Sequence, residues 1–236
     1  CSSDLQYKAY IRDLGKAGIA YTTYAHMANI KMIDYYQTAL GSTRGVPTRE
    51  FDIEQALKRP LSHGREFNEQ AVWKTLLRFL REVVPVAEEA GVRIGLHPDD
   101  PPLPTLGGVG RVVRSFAHYE QIVDLADSDC FGLCFCVGSW AEGGERMGYD
   151  VYEMIDYFGR ENKLFKVHFR NVDQPLPVFR ETLVDDGYID MVRVMEGLAA
   201  VDFDGAILPD HVPGGRQQAA YTIGYMRAVR RMVCGQ

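Results

Sequence analysis

No apolar run in this 236-residue chain approaches the roughly 18 residues that a membrane-spanning helix requires. A basic excess is lacking too: 26 Lys and Arg stand against 32 Asp and Glu, for a net charge of −6. That balance argues against a nucleic-acid or anionic-membrane partner. Cysteine is scarce, and the five present are odd in number and scattered, unlike a disulfide framework. The first residues, Cys-Ser-Ser-Asp-Leu-Gln-Tyr-Lys, lack the basic-then-apolar profile of a secretion signal. A reduced, cytoplasmic protein is therefore expected. What the chain does have is core: 46% hydrophobic and 25% charged residues suit one large α/β domain or two small ones.

Helical and strand-like stretches alternate, which favours parallel βαβ units. A helix over Asp4–Ala17, stopped by Gly18, leads to a strand at Ile19–Tyr24. The polar stretch Gly41–Arg49 reads as a long loop. A helix over Glu66–Ala90 has apolar residues at helical spacing, with Pro85 expected to kink or split it. Strands follow at Arg93–His97, Leu133–Val137, Leu164–Arg170 and Ala206–Leu208. Helices are expected at Ser115–Leu125, Tyr149–Phe158, Ile189–Val201 and Gln217–Met232. Nothing in the composition marks a second domain, so residues 1–236 are expected to form a single partial barrel domain. About five strands are too few for an eight-stranded barrel, and residue 1 is Cys rather than Met. The expectation is a TIM (β/α)8-type α/β barrel, incomplete here and lacking about three N-terminal strands. An open five-stranded sheet with its own topology is the alternative.

Four strand-like segments each end in a residue that can hold a divalent metal: His97, Cys136, His168 and Asp210. In a parallel barrel the C-terminal strand ends converge on one face, where active sites are built. Alternation sharpens this pattern. Val92, Ile94 and Leu96 suit packing under helices, whereas Arg93, Gly95 and His97 face the other way. Lys166, His168 and Arg170 likewise oppose Phe165, Val167 and Phe169, and Cys134 and Cys136 share a face. Strands covered by helices on both sides are normally apolar throughout, so a polar set at their ends points to a lined cavity. A lone strand-end His is more often structural, and a buried Cys is usually a small hydrophobe; it is the coincidence of four that favours a metal. Cys134, being deeper, reads as core packing.

The segments His97-Pro-Asp-Asp-Pro-Pro, Phe-Cys136-Val-Gly-Ser, Val-His168-Phe-Arg170-Asn171-Val and Pro-Asp210-His211, in this order, resemble the mannonate dehydratase family of xylose-isomerase-like barrels. The resemblance extends to Asp13–Ile19, to Val83-Val-Pro-Val-Ala-Glu-Glu and to Asp185-Asp-Gly-Tyr-Ile-Asp-Met. It implies dehydration of D-mannonate to 2-keto-3-deoxy-D-gluconate with Mn²⁺, or another divalent transition metal such as Fe²⁺ or Zn²⁺. His97, Cys136, His168 and Asp210 carry over as the ligands. His211 is implied as an acid–base group with Tyr221 as a weaker candidate partner, and Arg170 and Asn171 as holders of the substrate. The expected partner is a small-molecule sugar acid, with a homo-oligomer left open. Two segments depart from the family wording: Val212-Pro213 after Asp-His, and Tyr24-Ala-His26-Met27-Ala28-Asn29. A sugar isomerase or epimerase of the same barrel class is the runner-up, although such sites lean on Glu ligands and no strand here ends in Glu. A catalytically inactive relative is the third reading.

Overall fold

The computed structural model describes residues 2–27 and 37–235. Ala28 and Asn29, at the end of one segment that departs from the family wording, lie outside them. Helix α1 (Ser2–Lys16) leads to strand β1 (Tyr21–Ala25). A hairpin of β2 (Ala39–Thr43) and β3 (Val46–Asp52) follows, then the short helix α2 (Ile53–Leu57) and the long helix α3 (Glu69–Ala90). Next come β4 (Arg93–His97), a small ribbon of β5 (Thr105–Leu106) and β6 (Val109–Gly110), and helix α4 (Phe116–Ala126). Strand β7 (Phe131–Cys136) runs straight into helix α5 (Val137–Gly143), and α6 (Val151–Arg160) precedes β8 (Leu164–Phe169). The chain finishes with β9 (Asn171–Val172), β10 (Val178–Thr182), α7 (Met191–Ala200), β11 (Ala206–Pro209) and α8 (Arg216–Cys234).

Strands β1, β4, β7, β8 and β11 lie side by side in that order, and every pairing is parallel. The sheet curls. Lys166 on β8 donates to Thr23 Oγ1 on β1 at 3.1 Å although two strands separate them. This is the open, partial barrel expected from the strand count. Its convex face is apolar: Val92, Ile94, Leu96, Leu133 and Phe135 are fully buried in one core with Leu76, Phe79, Leu80 and Val83 of α3. Burial of side chains of this size contributes about 1.5–3 kcal/mol each, and that is what holds the helices on the sheet.

Three expectations need correction. Gly41–Arg49 is not a loop but most of the β2–β3 hairpin. Arg44 and Gly45 both take positive φ, 45° and 81°, the geometry of a two-residue turn whose twist matches the flanking strands. The hairpin joins β10 and β9 in a second sheet, ordered β2-β3-β10-β9 and antiparallel, with its own core around the stacked rings of Phe51 and Phe179. Nor does Pro85 split its helix, because α3 runs through it. Pro85 is on the exposed side, where the carbonyl it leaves unbonded can meet water, while Val83, Val84, Val86 and Ala87 anchor the turns around it. Finally, α3 begins at Glu69 rather than Glu66, since the Asn68 side chain caps it by accepting from Ala71 N.

Register decides what reaches the mouth of the sheet. Between β7 and β8 the pairing shifts by one residue after Leu133, so Cys136 lies across from His168 instead of Val167. Directly paired residues point to the same face, so this irregularity brings the imidazole onto the cysteine's side. Gly95 permits the close approach of the next strand: a Cβ there would stand 2.9 Å from Cys134 N and 3.2 Å from Cys134 Cβ. Gly95→Val is expected to force β4 and β7 apart, costing roughly 1–3 kcal/mol and weakening metal uptake at His97 and Cys136. Denaturant unfolding alongside metal titration would check both effects.

Candidate metal centre

His97 and Cys136 end β4 and β7, His168 is one residue from the end of β8, and Asp210 directly follows β11. Because parallel strands present the same end on one side, all four side chains reach a common point. One ligand atom from each lies within 4.8 Å of every other. Metal bonds of about 2.0–2.3 Å place donors roughly 3–4.5 Å apart, so the cluster is close to the size a single ion would draw together. Individual separations are 3.2 Å between His97 Nε2 and His168 Nδ1, 3.4 Å between His168 Nδ1 and Asp210 Oδ2, and 4.0 Å between Cys136 Sγ and Asp210 Oδ2.

Surrounding groups fix which nitrogen of each imidazole is available. His97 Nδ1 lies 2.7 Å from the Pro98 carbonyl; a carbonyl only accepts, so Nδ1 carries the proton and Nε2 turns its lone pair to the cluster. His168 Nε2 faces Cys134 Sγ at 3.5 Å, leaving Nδ1 inward. Cys134, expected to be mere core, thus touches a candidate ligand. The loop behind His97 is also held: Asp99, almost wholly buried, accepts from Val112 N at 2.9 Å and Val113 N at 2.8 Å and pairs with Arg111.

The charges are strongly coupled. Burial alone pushes the Cys136 thiol up, but Arg170 and the two imidazoles outweigh it and hold it well below its ordinary value. Burial pushes His97 down, yet hydrogen bonding to Cys136 prevails and raises it to about 9. His168 is raised to about 12 against its own burial by Asp210 and the two cysteines. Asp210, despite burial, is held below the carboxylate range by His168, His211 and Arg170. Two anionic ligands facing two imidazoles that draw positive charge suit a divalent cation.

Arg170, just past β8, is 3% exposed. Its guanidinium lies 2.8 Å from Asp100, 2.7 Å from Glu142, 3.1 Å from Glu181 and 3.4 Å from Asp210, and it donates to Ser139 Oγ at 3.0 Å. Gly138 lets it lie against the first turn of α5, where a Cβ would stand 2.4 Å from Nη1. Asp100 is held down to about 2 because Arg170 and His211 overcome its desolvation. Glu142 is fully buried, and neither oxygen has a hydrogen bond in suitable geometry. Its burial and the neighbouring Asp100 raise its pKa well above the ordinary value despite Arg170. Its surroundings thus favour the protonated form.

The remaining expected residues divide. His211 Nδ1 lies 2.8 Å from Glu181 Oε1, and its Nε2 lies 3.8 Å from Asp210 Oδ2. Its backbone takes φ 43° directly after a candidate ligand. Asn171 is fully buried. Its amide donates to Val184 O and Ile189 O, and its oxygen accepts from Val172 N and Ile189 N. Tyr221 is 41% exposed and donates to Asp185 Oδ2 at 2.7 Å. Sequence reasoning overlooked Asp100, Glu142 and Glu181. Asp100 stands inside a quoted motif and could have been singled out, whereas Glu142 and Glu181 sit on α5 and β10, which were not anticipated.

The family model described as D-mannonate dehydratase (UxuA) matches residues 29–233. A mannonate dehydratase of Streptococcus pneumoniae is 32% identical over 233 residues, covering 87% of this chain and 62% of that relative. The chain therefore spans about three fifths of the length of that curated relative. Among solved structures, the mannonate dehydratase of Streptococcus suis serotype 2 superposes with a TM-score of 0.86 at 28% identity, over 98% of this chain and 71% of that one. A xylose isomerase-like TIM barrel protein from Mycobacterium smegmatis, solved in complex with magnesium, matches with a TM-score of 0.63 over 97% of this chain and 68% of that one. At 10% identity it speaks for the barrel fold alone. Sequence, ligand cluster and superposition agree, and this chain belongs to the D-mannonate dehydratase family.

Proposed function

We propose that this chain carries the dehydration of D-mannonate to 2-keto-3-deoxy-D-gluconate, with a divalent transition ion, Mn²⁺ in the first place and Fe²⁺ or Zn²⁺ as alternatives. The observation that carries the reading is the cluster of His97, Cys136, His168 and Asp210 with the His211 imidazole 3.8 Å from the Asp210 carboxylate. An ion held by those four residues would supply positive charge that eases loss of the proton next to the substrate's carboxylate.

His211 moves the proton. A carboxylate on its Nδ1 keeps that nitrogen protonated, so Nε2 is the one that accepts. Glu181 is thus the orienting partner of a base–carboxylate pair. His211 takes the proton from the carbon beside the carboxylate and returns it to the hydroxyl leaving the next carbon. Water departs, and the enol left behind becomes the 2-keto acid. Tyr221 enters this scheme only by releasing Asp185. Arg170 and Asn171, whose polar groups are committed to protein partners, serve to hold the site's walls rather than the substrate. The thiolate and the lack of a Glu ligand favour this reading over the isomerase.

Cys136→Ser should weaken metal binding, because a hydroxyl is a poor substitute for a thiolate. His211→Asn should keep the metal and lose about 10²–10⁴-fold in turnover. Metal content and 2-keto-3-deoxy acid formed from D-mannonate would be measured on both. Full turnover by metal-loaded His211→Asn would remove the acid–base assignment. Product from ketoses but from no aldonate would transfer the site to the isomerase class.

Metal uptake should release protons, since thiolate and imidazole ligands bind deprotonated. Affinity should fall as pH falls, because the raised pKa values of His97 and His168 mean that more protons must be displaced. Calorimetric titration of metal in two buffers of different ionisation enthalpy would read the number released.

A further inference from the structure

Beside His211 lies a groove of about 240 Å³, walled by Leu40, Thr48 and Arg49 of the hairpin and by His211, Val212 and Pro213. The same imidazole thus borders both the groove and the candidate metal centre. Arg49 is half-buried on β3, and its side chain has no hydrogen bond or ion pair among the described residues. Arg170, by contrast, is surrounded by four carboxyl groups.

Charge makes an uncommitted arginine at this place significant. The carboxyl groups of Asp100, Glu142, Glu181 and Asp210 stand together beside the candidate metal centre, with Arg170 as the guanidinium among them. A sugar acid is itself an anion, and like charges brought together in a partly buried site repel strongly. A further cation is required for it to bind well, and a guanidinium matches a carboxylate in two parallel hydrogen bonds.

We propose that Arg49 receives the carboxylate of the sugar-acid substrate, so that the β2–β3 hairpin selects acids over uncharged sugars. The inference rests on the sugar-acid reading above and names the residue that enforces it. Leu40 and Pro213 offer apolar surface to the carbon chain, and His211 faces the carbon that bears the acidic proton.

The test compares metal-loaded parent, Arg49→Ala and Arg49→Lys for affinity toward D-mannonate and D-mannonamide, its uncharged amide, with turnover of D-mannonate measured in parallel. The parent should prefer the acid. Arg49→Ala should lose roughly 10- to 100-fold in affinity for the acid while its affinity for the amide and its metal content stay unchanged. Arg49→Lys should recover part of the loss. Equal affinity of parent and Arg49→Ala for D-mannonate would overturn the proposal and leave the dehydratase reading intact. A parallel fall for acid and amide would also overturn it, because that reports general damage. Binding of D-mannonate that depends on Arg49 but yields no product would uphold this site and sink the dehydration instead, and a parent that binds neither compound would sink both.

Discussion

The guanidinium of Arg170 allows this site to exist. Asp100, Glu142, Glu181 and Asp210 come from the loop after β4, from α5, from β10 and from the end of β11. Four carboxyl groups crowded beside a thiolate and away from water would repel one another and resist burial. Arg170 lies against all four at once, and it binds Asp210, a candidate ligand, into the same set. Even so, one cation does not suffice for four, and Glu142, the most deeply buried of them, is the one whose pKa is pushed up, by its burial and by Asp100. The arrangement joins the parallel sheet to the antiparallel one, so charge pairing here is also what connects the two layers.

A second constraint is backbone register. Parallel strands guarantee that their C-terminal ends lie on one side, but not that the right side chains point inward. The one-residue shift between β7 and β8 aligns His168 with Cys136, and Gly95 lets β4 and β7 approach closely enough for His97 to join them. Hydrogen bonding then selects the ring nitrogens through the Pro98 carbonyl and the Cys134 sulfur. The ligand set therefore depends on local irregularities as much as on the regular sheet.

These differences explain what could be read from the chain. His97, Cys136, His168 and Asp210 were legible because each ends or follows an apolar strand with period-two alternation, a pattern that survives without knowledge of tertiary contacts. The hairpin was not legible: its segment reads as polar punctuation, and its strands are stabilised by a small separate core of Phe51 and Phe179 that no local pattern reveals. Glu181 and Glu142 were hidden for the same reason. A buried acid looks like any surface acid until the arginine that neutralises it is brought beside it. Arg170 and Asn171 were noticed as polar residues at a strand end, but only coordinates show that Arg170 is enclosed by carboxyl groups and that the Asn171 amide has all four of its hydrogen bonds made by backbone.

The two layers divide the chemical work in a way that follows from their construction. The parallel sheet supplies the candidate metal ligands, which need fixed convergence and tolerate little displacement. The antiparallel layer supplies Glu181, 2.8 Å from His211 Nδ1, and Arg49, which lines the groove beside it. A two-residue turn and a short sheet can change in sequence without disturbing the barrel strands, because their core is separate. The substrate selection proposed for that layer could diverge while the candidate ligands are retained. Val212-Pro213, one of the departures from the family wording, lies in the wall of this groove, and differences in preferred acid among relatives would accordingly arise there before they arose at the ligands.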